Sequence, residues 1–126
     1  MKVLLINGSP NKEGCTYTAL HEVEMVLWQH GIETELLYLG KKPVAGCIAC
    51  MKCIETGHCF RDDAVKEIQG RLAEFDAIIL GSPVYYSQPT GQITSFCQRL
   101  FFCKEGEMAG KFGASVVSCR RGGASA

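Results

Sequence analysis

VLLINGSPNKEGCTYTAL, residues 3–20, reads as a strand, a tight polar loop and the start of a helix. Val3, Leu4, Leu5 and Ile6 form a short apolar run, which predicts a strand buried on both faces. Asn7-Gly8-Ser9-Pro10 ends that run with four turn residues in succession. Gly14, Cys15 and Thr16 then lead into a helix with Leu20, Val23 and Leu27 on one face. A helix N-terminus just past a buried strand offers unpaired N–H groups and the positive end of a dipole. That is an anion site, and a phosphate is its usual occupant. The loop is not GxxxxGK[ST], because Glu13 stands where the second Gly would fall, and it is not GxGxxG. Triphosphate and dinucleotide readings are weakened accordingly. What remains is a hydroxyl-rich loop of Ser9, Thr16 and Thr18, with Asn11 and Lys12 nearby. Each charge-assisted hydrogen bond is worth roughly 1.5–3 kcal/mol, so four would gross about 6–12 kcal/mol before ordering costs. The alternative is an ordinary strand-to-helix turn with a Ser/Thr cap.

The chain around this stretch has 126 residues, enough for one core, and 47% hydrophobic content. Thirteen basic and thirteen acidic residues cancel, so charge points to neither nucleic acid nor an anionic membrane as partner. The apolar start, Val3–Ile6, is too short for a signal-peptide core or a membrane span, and a cytoplasmic location is the expectation. Eight cysteines are many for such a length. In a reducing compartment they point to metal or redox chemistry rather than to disulfides.

Residues 16–30 read as the first helix, stopped by Gly31, with Glu22 and Glu24 on its polar side and His21 and His30 solvated or capping. IETELLYL, residues 32–39, reads as a second strand nearer the sheet edge. A polar turn with Pro43 and a cysteine segment at 47–59 follow. Asp62 or Asp63 then caps a helix carrying Val65, Ile68 and Leu72. Residues 76–81 are a third strand, ending in Ser82-Pro83-Val84-Tyr85-Tyr86. Pro89-Thr90 opens a helix whose apolar face is Ile93, Phe96, Cys97, Leu100 and Phe101. Residues 112–118 are a fourth strand, left by Cys119-Arg120-Arg121-Gly122-Gly123.

Strands alternating with helices predict an α/β fold with a parallel sheet and helices on both faces. In doubly wound sheets, ligands bind beyond the carboxyl ends of the strands at the switch point. Those ends are residues 8–16, 82–86 and 118–123, so three loops are expected to converge on one crevice. The sequence stops at Ala126, directly after the third loop. The expectation is a domain that is C-terminally incomplete, or one whose edge a partner covers.

INGSPNKEGCT, GSPVYYSQPTG and SCRRGG, taken together and in this order, resemble the flavodoxin-like NAD(P)H-dependent FMN reductase family. The cysteine cluster resembles that family's iron–sulfur flavoprotein branch. The resemblance implies a flavodoxin-like doubly wound parallel sheet, here without the family's C-terminal strand and helices. It implies that Ser9, Asn11, Gly14, Cys15 and Thr16 hold the FMN phosphate, although Cys15 stands where the family commonly places Asn. Pro83, Val84, Tyr85 and Tyr86 would pass the flavin ring, and Ser118, Arg120, Arg121 and Gly122 would approach its other edge. A homodimer or homotetramer is implied as well. Physical chemistry agrees: a tyrosine at a strand end can stack on a flat aromatic ring for about 0.5–1.5 kcal/mol beyond area burial. An arginine offers positive charge to the negative charge of a reduced flavin. The alternatives are pocket-edge packing for the tyrosines and a solvated pair for the arginines.

Cys47-x2-Cys50-x2-Cys53-x5-Cys59 is the sharpest signal in the chain. The C-x2-C-x2-C run is what a [4Fe-4S] cubane uses, though here the fourth cysteine is near and followed by Phe60. Structural zinc usually draws on two separated C-x2-C pairs; zinc and free thiols remain alternatives. Cys97, Cys103 and Cys119 read as small buried hydrophobes. The leading expectation is an oxidoreductase that takes electrons from NADH or NADPH through FMN and passes them on, through a cluster, to an acceptor protein or molecule. The alternatives are a flavodoxin-type electron carrier with no substrate of its own and a zinc-stabilised non-redox binding module.

Overall fold

A computed structural model describes residues 1–124. The strands are Lys2–Asn7 (β1), Glu33–Tyr38 (β2), Ala77–Pro83 (β3) and Phe112–Ser118 (β4). All pair parallel, in the order β2-β1-β3-β4, which is the flavodoxin-like winding. The helices are Cys15–Gln29 (α1), Lys52–Thr56 (α2), Ala64–Arg71 (α3) and Gly91–Lys104 (α4).

The apolar run of β1 makes it a central strand. Val3 and Leu5 face one way, packing with Leu20 of α1 and with Ala77 and Ile79 of β3. Leu4 and Ile6 face the other way, into a larger cluster with Val65 and Ile68 of α3 and Ile93, Phe96 and Leu100 of α4. The period-two alternation of the strand sends successive side chains to opposite faces. A run that is apolar at every position is therefore covered twice, and each such side chain stabilises by roughly 1.5–3 kcal/mol. Asp63 caps α3 by accepting from the Val65 N–H at 3.1 Å. Thr90 caps α4 by accepting from the Ile93 N–H.

Two sequence expectations change. Glu24 is buried rather than on the polar side of α1, because the helix lies over the β2 edge. There its carboxylate accepts from Thr34 Oγ1 at 3.0 Å and lies 3.1 Å from His21 Nδ1. Phe101 is partly exposed although it continues the α4 apolar face. It lines a groove of about 610 Å³ between α4 and β4, on a strand that is exposed along most of its length.

At Gly81, α1 packs directly on the sheet backbone. A Cβ there would lie 2.6 Å from Leu20 Cδ1 and 3.0 Å from Thr16 Cγ2. Gly81→Ala is therefore expected to lower stability by about 1–3 kcal/mol, measured by urea unfolding at constant m-value.

At the amino ends of the strands, Arg71 grips Glu35 with both terminal nitrogens at 2.6 and 2.8 Å, and Lys2 Nζ adds a contact at 3.2 Å. The Arg71 hydrogen bond, partly opposed by burial, holds the Glu35 carboxyl below the ordinary carboxylate range. A depressed native value contributes stability that is present above the unfolded-state value near 4 and lost as pH falls through the native one. Glu35→Gln is expected to flatten that acid limb in unfolding curves collected between pH 2 and 5.

Candidate functional site

The three loops at the carboxyl ends of β1, β3 and β4 meet. The Gly8 N–H donates to the Gly81 carbonyl at 2.8 Å, and Thr90 Oγ1 donates to the Gly8 carbonyl at 2.6 Å. The Val84 N–H donates to the Ser118 carbonyl at 3.0 Å, and Thr16 Oγ1 pairs with Ser118 Oγ at 2.9 Å. Turn chemistry sets the first loop: Asn7 Oδ1 accepts from the Ser9 N–H at 3.0 Å, and Ser9 Oγ accepts from the Asn11 N–H at 3.1 Å.

Gly14 precedes α1 in extended conformation, and among the described residues no side chain caps the helix. Ser9 and Thr16 are 4% and 1% exposed, so their hydroxyls are fixed beside that N-terminus without capping it. An ordinary Ser/Thr-capped turn is thus not what forms. The open N–H groups and two fixed hydroxyls have the chemistry of a phosphate cradle, with the Lys12 and Lys41 side chains in the adjoining cleft.

Residues 85–88 form a two-residue reverse turn, closed by Tyr85 N–H to Gln88 O at 2.8 Å and Gln88 N–H to Tyr85 O at 3.1 Å. Tyr86 and Ser87 both have positive φ, 49° and 60°, where such turns ordinarily use Asn-Gly. Side chains in that region are strained by about 1–3 kcal/mol, and such strain gathers at functional positions. Tyr86 is held fully exposed, and Tyr85 half-exposed, next to half-buried Pro83 and Val84. Arg120, Arg121 and Gly122 are exposed on the loop after β4, and Cys15 is exposed at the first position of α1.

The cysteine segment lies along α4. Cys47, Cys50, Cys53 and Cys59 line one pocket, with Arg99, Phe102 and Cys103 of α4 on its wall. Among the described residues no three His, Cys, Asp or Glu side chains close on a point as the ligands of a single ion do. A cubane distributes its four thiolates over four corners instead, and four sulfurs around one pocket are the donor set it takes. The backbone between them is tightly wound: Ala49 and Met51 have φ of 53° and 60°, and Gly57 has φ of 74°. The Ala49 N–H points at Cys47 Sγ at 3.4 Å. Two non-glycine residues in left-handed conformation are costly, and α2 buries none of its own side chains to offset them.

Of the other cysteines, Cys97 packs as read, and the structure corrects the reading of Cys103 and Cys119. Cys97 packs on the core, and burial pushes its thiol up to about 11. Cys119 is exposed, because β4 is an edge strand and its loop runs over the surface. Cys103 belongs to the cysteine pocket; burial and then the neighbouring Cys53 thiol push it up to about 11. Sequence reasoning also passed over Arg99 and Gln69. Both are buried, and both bond to Cys59. The available signal was a charged residue one position before Leu100, at the margin of the α4 apolar stripe.

Among the described residues no helix is long and apolar enough to cross a membrane. The family model described as NADPH-dependent FMN reductase matches residues 1–126. An iron–sulfur flavoprotein of Methanocaldococcus jannaschii is 38% identical over 126 residues, covering 98% of this chain and 65% of its own. An iron–sulfur flavoprotein of Archaeoglobus fulgidus is 34% identical over 118 residues, covering 93% and 54%. This chain therefore spans between about half and two thirds of the length of those relatives. Among solved structures, RosB with a bound 8-demethyl-8-formylriboflavin-5'-phosphate intermediate matches with a TM-score of 0.75 at 15% identity, over 98% of this chain and 54% of that one. An NAD(P)H:quinone oxidoreductase from Methanothermobacter marburgensis matches with a TM-score of 0.69 at 16% identity, over 94% and 66%. At those identities the structures speak to the fold, and sequence carries the kinship. The strand order, the three loops and the match along the whole chain lead to one conclusion: this chain belongs to the NADPH-dependent FMN reductase family, and its sequence groups with the iron–sulfur flavoproteins.

Proposed function

We propose that this chain works in an FMN-dependent oxidoreductase that takes electrons from NAD(P)H and passes them to an acceptor through a [4Fe-4S] cluster. The observation that carries the reading is the meeting of three strand-end loops around one uncapped helix N-terminus, in a chain of this family. When bound, FMN supplies two-electron chemistry with a hydride donor, and a cluster supplies one-electron transfer.

The residues divide the work. Ser9, Asn11, Gly14, Cys15 and Thr16 hold the FMN phosphate through N–H and O–H donors at the start of α1. Pro83, Val84, Tyr85 and Tyr86 bound the flavin ring on one side, and Ser118 and Gly122 bound its other edge. Arg120 and Arg121 supply positive charge there. Cys47, Cys50, Cys53 and Cys59 ligate the cluster. Arg99, in the wall of their pocket, follows the α4 cap Thr90 by nine residues, roughly 13 Å along the helix. The exposed β4 edge and the groove beside it favour a homodimer or homotetramer.

Steady NAD(P)H oxidation by FMN-loaded protein with an added acceptor tests the reading. Sustained turnover is the expected result. Stoichiometric reduction without turnover would leave an electron carrier, and a colourless protein with stoichiometric zinc would leave a binding module.

A further inference from the structure

We propose that Arg99 is a positioning residue that sets the reduction potential of the cluster through its hydrogen bonds to Cys59 Sγ. This rests on the reading of residues 47–59 as cluster ligands.

Arg99 is 3% exposed, in the middle of α4. Its guanidinium is shared among three partners. Nε and Nη2 donate to Cys59 Sγ at 3.3 and 3.1 Å. Nη2 and Nη1 donate to Asp63 Oδ1 and Oδ2 at 2.9 and 2.5 Å, and Nη1 reaches the Ala45 carbonyl at 3.2 Å. Gln69, 1% exposed, holds Cys59 from its backbone: Oε1 accepts the Cys59 N–H at 2.7 Å, and Nε2 donates to the Arg99 carbonyl at 3.0 Å.

Two buried side chains from two helices thus converge on one cysteine. A neutral thiol is a weak acceptor, and two donors of a buried cation would be poorly used on it. A thiolate, free or bound to iron, accepts them well. A buried ion pair alone is a weak source of stability, so the Arg99–Asp63 pair does not by itself account for the two bonds to sulfur. Donors to a ligand sulfur favour the more negative, reduced state of a cluster and raise its potential. Asp63 offsets the Arg99 charge, so what reaches the cluster is chiefly the hydrogen bonding.

The test uses anaerobically prepared wild type, Arg99→Lys and Asp63→Asn, with iron and sulfide assayed before a redox titration followed by electron paramagnetic resonance. Arg99→Lys keeps the charge and loses the fork, and its cluster potential is expected to fall. A tenfold change in the reduced-to-oxidised ratio at fixed solution potential, 59 mV for one electron, is the upper end of the expected shift. Asp63→Asn keeps an acceptor for the α3 cap and removes the opposing charge, so its potential is expected to rise. The flavin potential, read in the same titration, is expected to stay. Iron-loaded variants that both titrate at the wild-type potential overturn the proposal and leave the cluster reading standing. A wild type that takes up no iron overturns both. If Arg99→Lys does not hold iron, Asp63→Asn decides alone: a rise supports the proposal, and an unchanged potential overturns it.

Discussion

Replacing Cys53 by Ser is expected to remove most of the iron and sulfide from protein prepared without oxygen, while FMN remains bound. A cubane needs all four corners held, so its ligands act as a unit. Cys53 shares its pocket with Cys47, Cys50 and Cys59, and the strand-end loops that would hold FMN are built from other parts of the chain. NAD(P)H oxidation with an acceptor served by the flavin is expected to survive, and reduction of an acceptor that depends on the cluster is expected to fall. The structure adds a refinement. Cys103 stands on the wall of the same pocket beside Cys53, so any iron that Cys53→Ser retains is expected to depend on Cys103. The Cys53→Ser, Cys103→Ser double variant is expected to lose it. Cys97→Ser is the control, because Cys97 packs on the core and is absent from the pocket wall. It is expected to keep its iron and to lose only packing stability through a buried hydroxyl. Wild-type iron in Cys53→Ser with Cys103 also replaced would remove Cys53 from the ligand set.

Ser9→Ala combined with Thr16→Ala is expected to weaken FMN by roughly 2–4 kcal/mol, counting about 1–2 kcal/mol for each lost bond. That is roughly 30- to 700-fold in Kd. Riboflavin, which lacks the phosphate, is expected to bind almost unchanged. The comparison matters because both hydroxyls also hold the loops together, Ser9 through the Asn11 N–H and Thr16 through Ser118 Oγ. A merely loosened crevice would weaken riboflavin and FMN alike. Thr16→Ser keeps a hydroxyl at that position and is expected to recover much of the loss. Equal losses for the two ligands, measured by flavin fluorescence titration, would place the phosphate elsewhere.

Much of the fold was legible because its signals are local. The apolar run Val3–Ile6 forms β1, the Asp63 and Thr90 caps start α3 and α4, and Glu33 and Glu35 mark β2 as an edge strand. Glu24 was misread because its burial depends on Thr34, ten residues away on another element, which no helical periodicity contains. The cysteine spacing selected four of the five that share a pocket. It could not select Cys103, which α4 brings there over a separation of fifty residues from Cys53. Gln69 was invisible for the same reason, and Arg99 showed only as a charge at the margin of an apolar stripe: the role of each depends on a second helix packing against it and closing on Cys59. The strained turn at Tyr86 and Ser87 was also beyond reach, since the residue types there do not announce positive φ.

The most direct test of the account is the visible spectrum of the protein purified without oxygen, read together with its flavin, iron and zinc content. The account predicts one FMN per chain with about four iron and four sulfide, and a broad iron–sulfur absorbance beneath the flavin bands that bleaches on reduction. A colourless protein that binds stoichiometric zinc and neither FMN nor iron would contradict it.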